Sequence, residues 1–299
     1  SIYTSNSSCV IFFISCPDHK SWDSCFFDFS MGAIKRLIQE QIPGVYLHCI
    51  RTGHNEFEDV GSGYFGNVNE QISEVCSNLS SIKELSSGFN AIGFSQGGQF
   101  LRAVAQRCGS ELKIKNLISM GGQHQGVYGF PNCGLLGHRF CDALRRVLTK
   151  SAYLSGIQET LVQATYWHDP IHEQEYRENS LFLADINNEI NINQTYKENL
   201  SKLNKLVLVK FNKDTMVTPP ESEWFGFYEA GQSEKISEMM HTDLYKEDKI
   251  GLRLLNESGR LDLLSIDGKH LQFSDEWFIS NVINKYLPDK ISPMYRKSV

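Results

Sequence analysis

Phe89-Asn90-Ala91-Ile92-Gly93-Phe94-Ser95-Gln96-Gly97-Gly98 runs from an apolar, strand-like segment straight into a G-x-S-x-G turn, Gly93 to Gly97. Residues 96–108 then carry helical periodicity. A serine at a strand-to-helix turn needs a strained backbone and a close approach by the following helix, so small residues on both sides of Ser95 have a steric reason. A chance glycine-rich turn with a bystander serine would not require the strand before it or the helix after it. The helix that begins near Gln96 aims its first N–H groups and the positive end of its dipole at the serine. Ser95 is the candidate nucleophile, and the backbone N–H of Gln96 a candidate donor to an oxyanion.

Outward from this turn, β-rich runs bounded by turn residues occur at 10–15, 44–50, 116–120, 205–211 and 261–266, with 89–94 among them. Amphipathic stretches at 30–41, 67–79 and 96–108 alternate with them, and 274–286 follows the last. Strands alternating with helices predict a mostly parallel sheet covered on both faces. With the serine turn at its centre, the expected class is α/β, in the α/β-hydrolase fold. Between residues 123 and 202 the alternation gives way to helical, aromatic-bearing sequence around 144–153, 157–166 and 174–178. The expectation is one domain over 1–299, with 123–202 inserted above the active site and a loose polar tail at 288–299.

A serine hydroxyl cannot ionise unaided, so a histidine must take its proton and a carboxylate must orient that histidine. The chain order in this fold is serine, acid, histidine. Asp214 follows the run 205–211, and His270 follows 261–266, which places both at strand C-terminal ends, where chemistry collects in open α/β sheets. Glu221, Glu223 and Asp185 are alternative acids. The first two follow Pro219-Pro220 and Asp185 lies in the inserted stretch, so all three read as solvated surface charge. His168 and His172 have metal-pair spacing, but Pro170 between them argues against one helix presenting both, and a polar loop is favoured over a zinc site. His124, in Gly121-Gly122-Gln123-His124-Gln125-Gly126, follows a strand near the site; with Gln123 it is expected to shape the substrate pocket.

Composition narrows the alternatives. Among 299 residues, 41% are hydrophobic and 21% charged, which supports a sizeable core rather than disorder. A formal charge of −6 with scattered lysines and arginines argues against nucleic acid as a partner. The longest apolar run, 9–14, falls far short of the ~20 residues of a membrane-spanning helix, so a soluble chain without a transmembrane segment is expected. Residue 1 is Ser and no secretory signal is readable there, which suggests a processed form or a fragment. Eight cysteines without zinc-like pairing leave disulfides or buried thiols. Sequons at Asn6, Asn78, Asn193, Asn199 and Asn256 favour the secretory pathway.

The stretch from Gly93 to Cys108 resembles the elbow and following helix of the lysosomal palmitoyl-protein thioesterases. The resemblance continues through Gly121 to Val127, Tyr166-Trp167-His168-Asp169-Pro170, Phe182 to Asn187 and Ser222-Glu223-Trp224-Phe225-Gly226-Phe227-Tyr228, and runs from about Asp23 to Leu287. It implies a lysosomal, glycosylated hydrolase of fatty acyl thioesters on S-acylated proteins or peptides, with no cofactor and no metal. By motif position Ser95 falls on the family nucleophile, Asp214 on its acid and His270 on its base. The family disulfides fall on Cys76–Cys108 and Cys133–Cys141, and its sequon on Asn193. A third bridge joins adjacent cysteines in the family; Cys25 is followed by Phe26 here and is expected to be unpaired, with Cys49 a buried strand thiol.

The resemblance departs at the N-terminus. The family carries His-Gly-Met-Gly-Asp-Ser-Cys-Cys after its first strand, a loop that supplies the second oxyanion N–H. Counting back from Asp23-Ser24-Cys25 puts His19, Lys20, Ser21 and Trp22 there, so bulky residues replace the glycines. One lost donor costs ~100- to 1000-fold in rate. An oxygen-ester lipase or esterase, or a catalytically impaired lipid-binding homologue, therefore stays open beside the thioesterase.

Overall fold

A computed structural model describes residues 9–15, 31–50, 66–129 and 151–288. Cys25, the loop 19–22, Cys133, Cys141, the stretch 144–150 and all but the first residue of the tail lie outside the described residues.

The strands are β1 (Cys9–Ser15), β2 (Tyr46–Cys49), β3 (Phe89–Ser95), β4 (Ile114–Met120), β5 (Lys205–Phe211), the two-residue β6 (Phe227–Tyr228) and β7 (Ile236–Ser237), and β8 (Leu261–Ile266). Six form one sheet in the order β2-β1-β3-β4-β5-β8, every neighbouring pair parallel. The fold is that of an α/β-hydrolase, with helices on both faces. Strand β5 shows why the sheet is buried twice over. Leu206 and Leu208 face one core with Leu117, Phe100 and Val104, while Val207, Val209 and Phe211 face the other with Ile118, Phe278 and Val282. A strand apolar at every position has no face to give to solvent. Edge strand β8 instead alternates, and Leu263 is exposed.

The chain leaves β1 toward β2 on one side and returns to β3 on the other, so the winding reverses between β1 and β3. Ligand sites of open α/β sheets form beside such a reversal, at the strand C-terminal ends. Ser95 ends β3, Asp214 stands three residues beyond β5, and His270 stands four beyond β8.

Most expected elements are present within one or two residues. The helix expected at 67–79 is Val68–Ser81, because Asn67 caps it by accepting the N–H groups of Asn69 and Glu70. The helix expected at 157–166 is broken into Ser155–Gln158 and Val162–Thr165. Thr160 bonds back to the Gly156 carbonyl at 2.6 Å, and Leu161 is extended at φ −120°, ψ 105°. A hydroxyl that competes for helix carbonyls favours such an ending. The helix at 274–286 contains a π segment, Ile279–Ile283, between α-helical Asp275–Phe278 and Asn284–Tyr286. The β6–β7 pair is too short to carry a readable alternation.

A disulfide joins Cys76 to Cys108, tying the helix Val68–Ser81 to the end of the helix Gln96–Cys108 that begins at the serine turn. It closes a separation of 32 residues, and loop entropy puts such a cross-link at about 3–4 kcal/mol. Cys49 is also disulfide-bonded, so the expectation of a buried free thiol there is corrected. A short strand end beside the sheet edge is accessible to a bridging partner in a way a central strand is not.

Candidate active site

Ser95 has φ 52° and ψ −129°, a conformation that L residues avoid. Its surroundings hold it there. A side chain at Gly93 would collide with the backbone of Gly97 and Gly98, and one at Gly98 or Gly122 would collide with Ser119 Oγ. These glycines let the helix Gln96–Cys108 close against β3 and β4 until the serine projects from the turn. The Gln96 N–H opens that helix directly beside Ser95, in a buried position.

Behind the turn lies a polar network that the sequence did not reveal. Arg102 is completely buried, and its Nε donates to His124 Nδ1 at 3.2 Å. Its other nitrogens donate to Gln106 Oε1 and to the carbonyls of Ile186 and His124, with the guanidinium over the Phe225 ring at 5.2 Å. Burial lowers the Arg102 pKa to about 9. Burial, and then the Arg102 charge, also push His124 well below the usual imidazole range. A neutral His124 that accepts at Nδ1 carries its proton on Nε2 and donates it to Ser119 Oγ at 2.9 Å. Ser119 is the side chain packed against Gly98 and Gly122, so the network supports the turn from below. His124 has no exposed surface and both ring nitrogens engaged, which places it behind the site instead of on a substrate pocket wall. Gln123 is buried too; its carbonyl accepts from Gln99, and its Oε1 has no partner among the described residues.

In front of the turn, His270 Nε2 lies 2.9 Å from Ser95 Oγ, and His270 Nδ1 is hydrogen-bonded to Asp214 Oδ2. Asp214 Oδ1 accepts the N–H groups of Met216 at 2.6 Å and Val217 at 3.1 Å. Burial alone would raise the Asp214 pKa, but the bond and charge of His270, with Glu223 and the Met216 N–H, bring it below its ordinary value. Gly121, at φ 68°, makes room for the histidine: a Cβ there would stand 3.3 Å from His270 Cε1 and from the Phe211 ring. One line of contacts thus joins a serine, an imidazole and a carboxylate, the arrangement needed to move a proton off the serine as it attacks.

The alternative residues lie elsewhere or play other parts. Asp185 is exposed and paired with Arg107 at 2.8 Å. His168 is buried, its Nδ1 2.7 Å from the Gln125 carbonyl and its Nε2 2.8 Å from Glu173 Oε2, whereas exposed His172 bonds Asp169. The two histidines do not converge. Glu223 overturns the reading of a solvated surface charge. It is 1% exposed, and its Oε2 accepts the Phe211 N–H at 2.8 Å. The turn after Pro219-Pro220 folds back under β5, where Trp224 Nε1 bonds the Leu208 carbonyl at 3.0 Å and Ser222 Oγ donates to the Gly126 carbonyl at 2.6 Å.

Comparison with known proteins points to one family. The family model for palmitoyl protein thioesterase matches residues 17–270. Palmitoyl-protein thioesterase 1 of Caenorhabditis elegans is 50% identical over 268 residues, covering 90% of this chain and 89% of the relative. Palmitoyl-protein thioesterase 3 of Dictyostelium discoideum is 38% identical over 233 residues, covering 78% and 77%. The lysosomal thioesterase PPT2 of Bos taurus is 35% identical over 176 residues, covering 58% and 56%.

Proposed function

The chain belongs to the palmitoyl protein thioesterase family, and from that premise we propose that it cleaves fatty acyl thioesters on cysteines of S-acylated proteins or peptides through an acyl-enzyme on Ser95. The observation that carries the reading is the unbroken contact line from Ser95 Oγ through His270 to buried Asp214. His270 takes the Ser95 proton as the hydroxyl attacks the thioester carbonyl. Asp214 holds the tautomer and stabilises the imidazolium, and the Gln96 N–H faces the developing oxyanion. The proton then passes from His270 to the departing thiolate, and water, activated by the same histidine, releases the fatty acid. A thiolate is a better leaving group than an alkoxide, so positioning and oxyanion stabilisation supply most of the acceleration.

Residues 123–202 provide the acyl-binding wall in this reading. Val127, Val162, Ala164 and Trp167 form a small apolar cluster with Val217, whose N–H is bonded to Asp214. These side chains are themselves buried and so back the wall from behind; an acyl chain laid against it gains ~0.8 kcal/mol per buried methylene. With palmitoyl thioester and its oxygen-ester analogue of identical acyl chain, we expect kcat/KM at least about tenfold higher for the thioester. Equal or faster turnover of the oxygen ester would make the chain an esterase instead.

A lysosomal site of action fits the low Asp214 pKa, because the carboxylate stays ionised in an acidic compartment. It also implies glycosylation, and the sequons differ sharply. Asn193 is exposed, and its Oδ1 caps the helix Gln194–Ser201 by accepting from Thr195 and Tyr196, so a glycan on Nδ2 leaves the cap in place. Asn78 is exposed on its helix. Asn199 is buried with Nδ2 donating to the Gln106 carbonyl at 2.9 Å, and Asn256 Nδ2 donates to Tyr245 at 2.6 Å. Glycopeptide mapping after secretory expression should find sugar at Asn193 or Asn78 and none at Asn199; occupancy at Asn199 would contradict the packing of that helix.

A further inference from the structure

Glu223 is a buried carboxyl beside the serine–histidine–aspartate line for which the mechanism above has no use. It sits in the 3-10 helix Pro220–Trp224, with Oε2 fixed by the N–H of Phe211, three residues before Asp214. Oε1 is buried and has no hydrogen-bond donor among the described residues. Its neighbour is the Asp214 carboxylate: Asp214, Glu223 and His270 bring one polar atom each within 4.8 Å of one another. Ionised carboxylates only accept hydrogen bonds. Two of them side by side out of water would repel and leave Oε1 unsatisfied. One proton resolves both problems, and its place follows from the partners. Asp214 is held by His270 and two backbone N–H groups, whereas Glu223 has one N–H.

We propose that Glu223 is a neutral positioning acid, whose Oε1–H donates to the Asp214 carboxylate and orients it toward His270 without adding a second negative charge to the site. The inference rests on the assignment of Asp214 and His270 made above. The ionisable groups facing Glu223 are Asp214, His270 and Lys210, the last on β5 with its ammonium 4.4 Å from the Trp224 ring centre. Burial first, and then the bond to and charge of Asp214, push the Glu223 pKa well above the carboxylate range, against the opposing Phe211 N–H and Lys210. Neutrality matters for the reaction. A second negative charge beside Asp214 would make His270 more basic and hold it protonated, useless as a base, to higher pH.

Glutamine reproduces the proposed pattern atom for atom: its carbonyl accepts the Phe211 N–H and its amide donates to Asp214. Glu223→Gln should retain kcat within about threefold, with the acid limb of kcat/KM within about 0.3 pH unit of wild type. Glu223→Leu should lose about 30-fold in kcat at nearly constant KM, so that glutamine rescues what leucine loses. A stability readout is independent of turnover. A carboxyl whose folded pKa is raised contributes stability fully present below its unfolded value of ~4.3 and lost as pH rises toward the folded one. The Tm of Glu223→Gln should therefore gain on wild type progressively from about pH 4 to pH 7. An acid limb moved down by a unit or more in Glu223→Gln, or no growing Tm difference, would show that Glu223 is charged and overturn the proposal. Full kcat in Glu223→Leu would remove its positioning role. If Asp214→Asn, measured alongside, proved as fast as wild type, the fault would lie in the triad assignment, and the Tm comparison would still decide the charge of Glu223.

Discussion

Ser95→Ala should fold as the wild type does and lose thioesterase turnover by about 10⁵-fold or more. Among the described residues the side chain's hydrogen bond is the 2.9 Å contact to His270, and the unusual backbone angles are imposed by Gly93, Gly98 and Gly122 rather than by the hydroxyl. Alanine tolerates φ 52° about as poorly as serine, so the substitution neither relieves nor adds much backbone strain. What disappears is the oxygen proposed to form the acyl-enzyme. Activity should fall to whatever binding and the oxyanion donor can do for attack by water. The measurement is palmitoyl-thioester hydrolysis together with labelling by a fluorophosphonate, which needs an activated serine. Labelling elsewhere in the variant, or turnover within tenfold of wild type, would remove Ser95 from the mechanism.

The sequence made this serine conspicuous because steric demand leaves a local record. Glycine at 93 is dictated by the close approach of the Gly97 and Gly98 backbone, and that approach is a property of a few consecutive residues. The sheet was legible for a similar reason: runs such as 205–211 are apolar at every position because both faces are covered. Asp214 and His270 were singled out through chain order, their places after β5 and β8 and the family resemblance, and the structure brings both to Ser95.

What the sequence hid is whatever depends on long-range burial. Arg102 stands in an amphipathic helix where a cation ordinarily faces water, yet residues 96–106 are all buried because the sheet covers one side and the segment around Ile186 the other. His124 looked like a pocket residue because it follows a strand near the site, but its ring is taken up by Arg102 and Ser119. Glu223 follows two prolines, a usual mark of a surface turn. The one local hint is its company: Trp224, Phe225 and Phe227 follow immediately, and a lone acid beside so many aromatics seldom faces solvent. The break at Leu161 was invisible for another reason, since a threonine back-bond and an extended leucine fit a helical apolar pattern equally well until the third apolar cluster is assembled.

Asp214→Asn should cost about 10⁴-fold in kcat while leaving the fold intact, and the hydrogen bonds on the two carboxylate oxygens explain why so conservative a change is so damaging. Oδ1 accepts the N–H groups of Met216 and Val217, at 2.6 and 3.1 Å. An asparagine must put its carbonyl oxygen there, because an amide nitrogen facing two N–H donors would leave all three unsatisfied. The amide nitrogen is then forced to the position of Oδ2, against His270 Nδ1. Nδ1 must now accept, so the ring proton moves to Nε2, the atom that faces Ser95 Oγ. A protonated Nε2 cannot take the serine proton, and the imidazolium, when it does form, no longer has a carboxylate beside it. The loss should appear in kcat and kcat/KM together with KM little changed, because substrate is bound by other surfaces. NMR of the ring nitrogens near neutral pH should show the Nε2-protonated tautomer in the variant and the Nδ1-protonated one in wild type. A rate within tenfold of wild type, or an unchanged tautomer, would mean that Asp214 does not orient His270 in the working enzyme.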